Sequence, residues 1–394
     1  MHDSRPFAVV LGLSPTGLYV ARELGRSGTP LLGVDTDFGT ASASRYFRQS
    51  GGIWYEADTG RLADRLLEFG RRCDSKPVLI PTSDHFIQFV VENYSRLHSA
   101  FHIAECYAGI ADCFLDKQKF HQLCGTHGIA TPGVWELSSM EDIGRVEGVP
   151  FPCLLKPTLI HLAKPFMRGR KVFIVESRAD LVALSKKLPR ESGSWLLQEL
   201  IPGEESSIAL VAGYTSENAI AGDTFTAVKL RQYPPGFGSA SRAISGPCAE
   251  AREIAATLMA SIGFNGMYGA EFKRDPRDGR LKIIEVNPRP TLWFYLSHAA
   301  GKRLVERAYC DVAGLPVALA SPQRDGVLWH YVLKDMASAI FYRIRGRGFI
   351  LGAPDLAAGG PVAGRCWPVF SLSDPMPFFA ELMVYVTKFF RRVF

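Results

Sequence analysis

The chain has 394 residues, of which 47% are hydrophobic, and a formal net charge of +6. This length predicts two or three domains rather than one core. The charge is modest and no long Lys/Arg run indicates a nucleic-acid groove, so acidic or phosphorylated substrates, or a membrane surface, are the expected partners. The eight cysteines form no C-x-x-C pair, and the N-terminus shows no signal-peptide pattern. Reduced thiols in a cytoplasmic protein are therefore expected.

The first hundred residues predict an α/β domain. Phe7–Leu13 and Pro30–Asp35 are apolar strand patterns on either side of a helix, and Val78–Asp84 is a later strand that runs into a helix. The turn Gly12–Gly17 does not have the G-x-G-x-x-G dinucleotide pattern, nor the Lys-Ser/Thr of a P-loop. A nicotinamide-dependent oxidoreductase is therefore disfavoured. Asp35 stands where a ribose-binding acid would sit, but a structural role for this turn is an equal alternative.

Strands and helices alternate through the middle of the chain. The predicted strands are residues 151–157, 171–175, 195–201, 207–213 and 223–231, and the predicted helices are 112–128, a segment from Arg178, and 250–262.

A hairpin of acidic residues is the most informative motif. The turn formers Asp275–Gly279 separate two alternating segments, so the hairpin register places Glu271 opposite Glu285. The strand period of two puts Asn287 on the same face as Glu285. Two adjacent carboxylates repel each other unless a cation lies between them, and hard oxygen ligands suit Mg²⁺ shared with substrate phosphates. A pair of solvated hairpin charges is the alternative.

Three other polar sites precede the hairpin. Lys117 lies on a helix, where a solvated charge is the usual explanation. Lys156 ends the apolar run from Cys153, where a half-buried ammonium needs a partner such as a phosphate. The segment Gln198–Glu205 is a strand that ends at Pro-Gly with acids just beyond. Its backbone could contact an adenine edge while an acid holds a ribose, but an ordinary strand-to-loop transition explains it equally well.

In order along the chain, these motifs resemble the ATP-grasp superfamily. The family pattern is a helix with Asp-Lys, a strand with Lys-Pro, a strand that ends at Pro-Gly with acids beyond it, and an acidic hairpin with Glu-x-Asn-Pro-Arg. We call the third of these, Gln198 to Glu205 in this chain, the hinge strand. The other matching residues are Asp116, Lys117, Lys156, Pro157, Glu271, Glu285, Asn287 and Arg289. The N-terminal Gly-x-Ser-Pro-Thr-Gly turn, Asp35, Ser44–Tyr46 and Pro81–Asp84 resemble the pre-ATP-grasp domain. The resemblance covers about the first 310 residues.

The resemblance implies a role for each of these residues. The implied cofactors are ATP and two divalent metal ions, Mg²⁺ or Mn²⁺. The nucleotide would be bound by Lys117, Lys156, Gln198, Glu199, Ile201, Glu205 and Lys229, with Glu199 and Ile201 meeting adenine through the backbone and Glu205 holding the ribose. The metal ligands would be Glu271, Glu285 and Asn287, and Arg289 would lie near the transferring phosphate or the acyl substrate.

Two loops bear on specificity. The lid over the phosphates is usually rich in glycine, whereas Thr158–Arg170 has a single glycine and several cations (Lys164, Arg168, Arg170, followed by Lys171). A second loop, Lys229–Arg242, resembles the substrate-side loop of ATP-grasp amino-acid ligases of the D-aspartate ligase type. There Arg231 and Arg242 are the expected catalytic ligands of the carboxylate and its acyl phosphate; a surface hairpin is the alternative.

The last seventy residues are predicted to form an extension with its own helix. Phe378–Phe394 is rich in Phe, Met and Val, and its charged residues Glu381, Lys388 and Arg392 recur on one face. The pattern is compatible with a helix that lies in a membrane interface and equally with a helix that packs on the catalytic body. The preceding Asp374–Phe378 resembles a segment of D-aspartate-ligase-like proteins. His330, between Trp329 and Tyr331, is expected to be a packed histidine or to line a substrate pocket.

The expected fold is α/β and α+β, with a pre-ATP-grasp Rossmann-like domain (1–110), a small lid subdomain (111–190), a large subdomain (191–321) and an extension (322–394). The expected function is an ATP-dependent carboxylate–amine ligase that forms C–N bonds through an acyl phosphate. The expected partners are small-molecule carboxylates and amines, with peripheral membrane contact and a dimer left open. Other phosphoryl-transfer chemistry, or a non-catalytic nucleotide sensor or scaffold, is the alternative, because the lid is poor in glycine.

Overall fold

A computed structural model of the chain describes residues 5–137, 143, 146–158, 167, 172–188, 194–218, 220–345 and 349–393, with the backbone alone for residues 345 and 388–393. Most of the predicted lid loop, including Lys164, Arg168, Arg170 and Lys171, therefore lies outside the described residues.

The N-terminal domain is built on a parallel four-stranded sheet in the order β3-β2-β1-β4, which confirms the predicted α/β domain. Its strands are buried apolar runs, as expected for a parallel sheet covered on both faces. The strands are β1 (Ala8–Leu11), β2 (Leu31–Asp35), β3 (Ile53–Tyr55) and β4 (Val78–Pro81), and the helices are α1 (Pro15–Arg26), α2 (Arg45–Arg48), α3 (Thr59–Arg72), α4 (Asp84–Glu92) and α5 (Tyr94–Leu97).

The turn between β1 and α1 is closed by its own residues. Ser14 caps α1 by accepting a hydrogen bond from the Thr16 amide at 3.2 Å. Gly12 has φ +102°, and a Cβ there would lie 2.6 Å from Thr82 Oγ1. Asp35 accepts the Leu13 amide at 2.5 Å. The acid considered for a ribose thus stabilises the turn.

The small subdomain is an antiparallel sheet in the order β5-β8-β6-β7. One face holds a core that includes Leu155, Trp195 and Leu197. By the strand period, Leu154 and Lys156 lie on the opposite face. The strands are β5 (Val134–Leu137), β6 (Cys153–Pro157), β7 (Phe173–Val175) and β8 (Trp195–Glu199), and the helices are α6 (Asp112–Leu115), α7 (Lys117–Thr126) and α8 (Arg178–Ser185).

A seven-stranded sheet in the order β13-β12-β9-β10-β11-β14-β15 forms the large subdomain. Apolar clusters cover both faces, and each cluster continues into the N-terminal domain. The strands are β9 (Ile208–Thr215), β10 (Asp223–Tyr233), β11 (Ser239–Ser245), β12 (Gly266–Arg274), β13 (Leu281–Asn287), β14 (Val327–His330) and β15 (Gly364–Cys366); the helices are α9 (Ala249–Ser261), α10 (Tyr295–Ala299), α11 (Leu304–Val312), α12 (Val332–Arg345) and α13 (Met376–Val393).

One predicted loop is mostly strand. The loop expected at Lys229–Arg242 is wrong in its extent, because β10 continues to Tyr233 and β11 begins at Ser239, leaving residues 234–238 as the turn. The pairing of β10 with β11 is irregular next to Arg231. Arg231 and Arg242 are therefore paired strand residues on a rigid sheet.

Residues 322–394 are joined to the rest of the molecule through strands, through α12 and through the segment before α13. β14 pairs with β11, and β15 pairs with β14, so these strands extend the large sheet. The segment before α13 docks on the N-terminal domain through Asp374, whose Oδ2 lies 3.0 Å from Arg22 Nε and accepts the Ser44 hydroxyl at 2.8 Å. Arg22 and Asp374 are almost wholly buried.

None of the helices in the described part of the chain is long and apolar enough to cross a bilayer.

We expect Asp374→Asn to lower the free energy of unfolding by about 3–5 kcal/mol, because it leaves the Arg22 guanidinium buried without its counter-charge. Denaturant unfolding measures the change. Glu68→Gln is the matched control, since it breaks an exposed ion pair with Arg72 and should cost less than about 1 kcal/mol. Equal losses in the two variants would contradict a stabilising docking contact.

Candidate active site

The acidic hairpin forms as the sequence predicts. β12 and β13 are antiparallel neighbours, Glu271 pairs directly with Glu285, and Asn287 pairs with Gly269. The turn closes with the Gly279 amide on the Asp275 carbonyl at 2.8 Å, and Gly279 has φ +70°. Directly opposed residues share a face of the sheet, so the two carboxylates and the Asn287 amide project from one patch.

A lysine from a more distant strand neutralises part of this patch. Lys229 Nζ on β10 lies 2.5 Å from Glu271 Oε2, and the lysine side chain is almost completely buried. Lys229 is expected at the nucleotide, and the structure pairs it with Glu271, a predicted metal ligand. Glu285 is exposed. The donors that face a cation here are carboxylate and amide oxygens, which fit a hard divalent metal completed by phosphate and water oxygens.

The described residues contain no cluster of three or more His, Cys, Asp and Glu side chains placed to hold a metal. The hairpin supplies two carboxylates and one amide, so a metal bound here would take its remaining ligands from another molecule. That is the arrangement expected of Mg²⁺ bound together with a polyphosphate.

Arg289 ties the end of the hairpin to the N-terminal domain. Its guanidinium lies 2.7 Å from Asp84 Oδ1 at the start of α4, and it donates to Asn287 Oδ1 at 3.1 Å. The neighbouring Pro288 carbonyl accepts the Tyr107 hydroxyl at 2.8 Å. These contacts fix Asn287 and Arg289 beside the two carboxylates.

The two lysines expected at the ATP phosphates, Lys117 and Lys156, lie near each other. Lys156 Nζ donates to Gln198 Oε1 at 2.9 Å, and both residues are on neighbouring strands of its sheet. The amide of Lys117, the first residue of α7, lies 3.5 Å from the Thr158 carbonyl, which places the start of α7 at the end of β6. Lys117 and Lys156 therefore lie in one region.

A histidine that the sequence analysis passed over lies with these two lysines. His121 on α7 is buried, and its Nδ1 has no hydrogen-bond partner among the described residues. Burial, together with the charges of Lys156 and Lys117, lowers the pKa of His121 to about 3. A neutral imidazole next to two ammonium groups marks a region of positive potential where an anion would be stabilised.

The hinge strand is held from the hairpin side. Glu199 Oε1 lies 2.6 Å from Arg277 in the hairpin turn, and Glu199 Oε2 accepts the Gly133 amide at 3.0 Å. Lys273, two residues beyond Glu271, donates to the carbonyls of Ile201 and Gly203 at 3.0 and 2.9 Å. Burial lowers the pKa of Lys273 to about 8. Strand periodicity could have identified Lys273, since it shares the face of Glu271.

Glu205 is buried and hydrogen-bonded by the residues around it. The side chain is fully buried, and its carboxylate accepts the amides of Gln232 and Gly236 at 2.8 and 2.5 Å and the Tyr342 hydroxyl at 2.6 Å. Burial raises the pKa of Glu205 despite these bonds. Glu205 thus fixes the β10–β11 turn, and its expected role at a ribose stays a prediction.

Arg231 and Arg242 converge on a carboxylate that the sequence analysis missed. Asp335 Oδ2 on α12 lies 3.0 Å from Arg231 and 4.0 Å from Arg242. The same oxygen lies 3.0 Å from His330 Nε2. Burial would raise the pKa of Asp335, but the His330 hydrogen bond and the Arg charges lower it overall. The only signal in the sequence was an isolated acid in a mostly apolar helix.

Comparison with known proteins agrees with this geometry. A family model described as an ATP-grasp domain matches residues 162–292. Over these residues the chain is similar to ATP-grasp domains. Its resemblance to the superfamily is confirmed, and so are the mixed α/β fold and the Rossmann-like N-terminal sheet.

The relatives of the chain are distant. A D-aspartate ligase of Enterococcus faecium (strain Aus0004) is 22% identical over 227 residues, which cover 54% of this chain and 53% of that protein. The chain therefore aligns with about half the length of that relative.

Solved structures share the fold. An N5-carboxyaminoimidazole ribonucleotide synthetase in complex with ADP superposes with a TM-score of 0.63 at 14% identity, covering 81% of this chain and 80% of the other. An L-amino acid ligase from Bacillus licheniformis gives a TM-score of 0.59 at 14% identity, covering 80% and 76%.

We expect the unfolding free energy of the wild type to fall relative to His121→Gln as the pH drops from about 6.5 towards 3. The folded pKa of about 3 lies below the ordinary 6.5, so the unfolded state takes up the proton first and acid favours unfolding. At pH 5 the difference should be about 2 kcal/mol. Denaturant titrations at several pH values measure it.

The exposed His85 provides the control, because His85→Gln should leave the pH dependence of stability nearly unchanged. Parallel pH profiles for the wild type and His121→Gln would show that the His121 ring is not held neutral.

Proposed function

We propose that this protein is an ATP- and Mg²⁺-dependent ligase that joins an amine to a carboxylate through an acyl phosphate. The observation that carries this proposal is the pairing of Glu271 with Glu285, with Asn287 on the same face, inside an ATP-grasp domain. The names of the relatives, a D-aspartate ligase and an L-amino acid ligase, support the same reaction class.

The reaction proceeds in two displacements. A carboxylate oxygen of the acid attacks the γ-phosphorus of ATP, the bond from that phosphorus to the ADP oxygen breaks, and an acyl phosphate and ADP result. The amine then attacks the acyl carbon, the C–N bond forms, inorganic phosphate leaves and the nitrogen loses a proton. Both steps need positioning and charge neutralisation more than covalent participation by the protein.

The residues that neutralise charge come from two subdomains. On the small subdomain, Lys117 and Lys156 would hold the phosphates, in the region where His121 is kept neutral. On the large sheet, Glu271, Glu285 and Asn287 would hold Mg²⁺. A bound Mg²⁺ supplies charge neutralisation at the transferring phosphoryl group.

The acid substrate is assigned to the Arg231–Arg242 site. The two guanidinium groups have buried Nε–H donors without a partner among the described residues, and Arg242 and His330 are partly open. Guanidinium groups bind carboxylates and acyl phosphates with directional, charge-assisted hydrogen bonds. Asp335 would act as a positioning residue that holds both arginines in place.

Two other functions remain as outcomes of the same experiment. An ATP-grasp protein with other phosphoryl-transfer activity would release ADP without forming a C–N bond, and a nucleotide sensor or scaffold would bind ATP without turnover. We place the protein in the cytoplasm, because ATP is available there and all eight cysteines are free, five of them buried.

A screen of acids and amines that detects the release of ADP and phosphate tests the proposed ligase activity. We expect turnover only when both an acid and an amine are present. Glu285→Gln should reduce turnover at least about 100-fold, because it removes one charge from the pair that would hold the metal.

Glu253→Gln is the control for Glu285→Gln, since Glu253 is exposed on α9 and is not one of the proposed metal ligands, so this variant should keep full activity. ATP binding without turnover across the panel would instead favour the sensor. A fully active Glu285→Gln enzyme would refute the metal assignment.

Asp335→Asn tests the acid site. We expect the KM for the carboxylate to rise at least about tenfold, because the two arginines lose their shared counter-charge, while the KM for ATP changes less than about twofold. Steady-state kinetics with each substrate varied in turn measure both values.

Ser338→Ala provides a matched control on the same helix. Ser338 is fully buried and donates to the Gln232 carbonyl at 2.5 Å, but it does not touch the arginines. Asp335→Glu keeps the charge and should restore part of the affinity for the acid. Equal effects of Asp335→Asn and Ser338→Ala on both KM values would show that Asp335 has only a structural role.

A further inference from the structure

Exposed apolar side chains are concentrated in the C-terminal region. Among the described residues, 20 large hydrophobic side chains are exposed, and 14 of them follow residue 331. A soluble surface usually scatters such residues singly, whereas a contiguous apolar patch marks an interaction site. Nine of the 14 lie on α12 and α13: Val332, Leu333, Met336, Ile340, Ile344, Met376, Phe379, Met383 and Val386.

Helix α12 has its amphipathic pattern inverted. Its inward side chains are polar: Asp335 meets Arg231, Ser338 meets the Gln232 carbonyl, and Tyr342 meets Glu205. Its outward side chains are apolar and recur at helical spacing: Leu333, Met336, Ile340 and Ile344, the last 74% exposed. A helix that only packs on a core shows the opposite arrangement.

Helix α13 packs Phe378 on the core and also presents apolar side chains to solvent. Glu381 is buried and bonded to the Tyr331 hydroxyl, and the Tyr385 hydroxyl lies 3.4 Å from the same oxygen of Tyr331. Phe379, Met383 and Val386 point outward, with Met383 61% exposed. Since Tyr331 directly precedes α12, α13 contacts the residue at which α12 begins. We call Leu333, Met336, Ile340, Ile344, Phe379, Met383 and Val386 the apolar outer face.

The charges of the two helices identify the partner. Each helix contains three Lys or Arg residues and one acid, so each contributes +2, and together they carry +4 of the net charge of +6. The two acids, Asp335 and Glu381, are buried. Among the Lys and Arg residues of the two helices whose side chains the structure describes, Arg343 is exposed next to the exposed Ile344 on α12.

We propose that α12 and α13 form a peripheral docking surface for an anionic lipid bilayer, with the apolar outer face inserted at the level of the headgroups. Apolar side chains flanked by Lys and Arg on an interfacial helix are the combination that binds such membranes. A second copy of this chain would bring the like charges of the two helices together, which disfavours self-association through this face.

Vesicle co-sedimentation of the full chain tests this surface. We expect binding to mixed phosphatidylcholine–phosphatidylglycerol vesicles, weakened by salt, and little binding to phosphatidylcholine alone. The pairs Met336→Ser with Ile340→Ser, and Phe379→Ser with Met383→Ser, should each reduce binding at least about tenfold. The Phe38→Ser and Leu319→Ser variants are matched controls, since both side chains are exposed but lie outside α12 and α13.

Membrane binding does not require turnover, so the vesicle assay and the ligase assay fail independently. Circular dichroism melting verifies that each pair of substitutions leaves the fold intact. Absence of binding by the unmodified protein to the mixed vesicles overturns the proposal, whatever the variants do. Sedimentation velocity that shows a dimer abolished by the same substitutions, without vesicle binding, would assign the face to a second copy instead.

Discussion

The cross-strand pairing of Glu271 with Glu285 is the constraint on which the rest of the candidate site depends. Like charges directly opposite each other on a sheet destabilise it unless a cation relieves them. The chain supplies one cation permanently through Lys229, buried beside Glu271. The remaining carboxylate, Glu285, is exposed, and it is the one that the proposed Mg²⁺ would bind. Arg289 and Asp84 then hold the end of the hairpin against the N-terminal domain.

Local sequence predicted the features that local interactions determine. The hairpin register followed from the turn formers between residues 275 and 279, and the apolar runs located the parallel strands of the first domain. Lys156 and Gln198 were likewise found from their strand ends, although their contact with each other links residues 42 apart. Periodicity and turn chemistry were sufficient in these cases because each element buries its own apolar face.

The contact partners of Glu205, Arg231 and Arg242 could not be predicted from local sequence in the same way. Glu205 is bonded to Tyr342, and both arginines face Asp335, so the deciding residues lie between 93 and 137 positions further along the chain. No pattern in a single sequence shows which buried carboxylate will face which cation. The family resemblance, whose matched model ends at residue 292, also stops before the helix that provides Asp335 and Tyr342.

Helix α12 explains why the C-terminal region is inseparable from the candidate site. A buried polar side chain costs free energy unless it is hydrogen-bonded, so Asp335, Ser338 and Tyr342 can be buried only because the large sheet and the Glu205 turn provide their partners. That requirement uses the inner side of the helix for polar contacts and leaves the apolar side chains outside. One rigid element of 14 residues therefore orients the two arginines on its inner side and presents the apolar outer face on the other. The position of the acid site and the exposure of that face are consequences of the same set of buried hydrogen bonds.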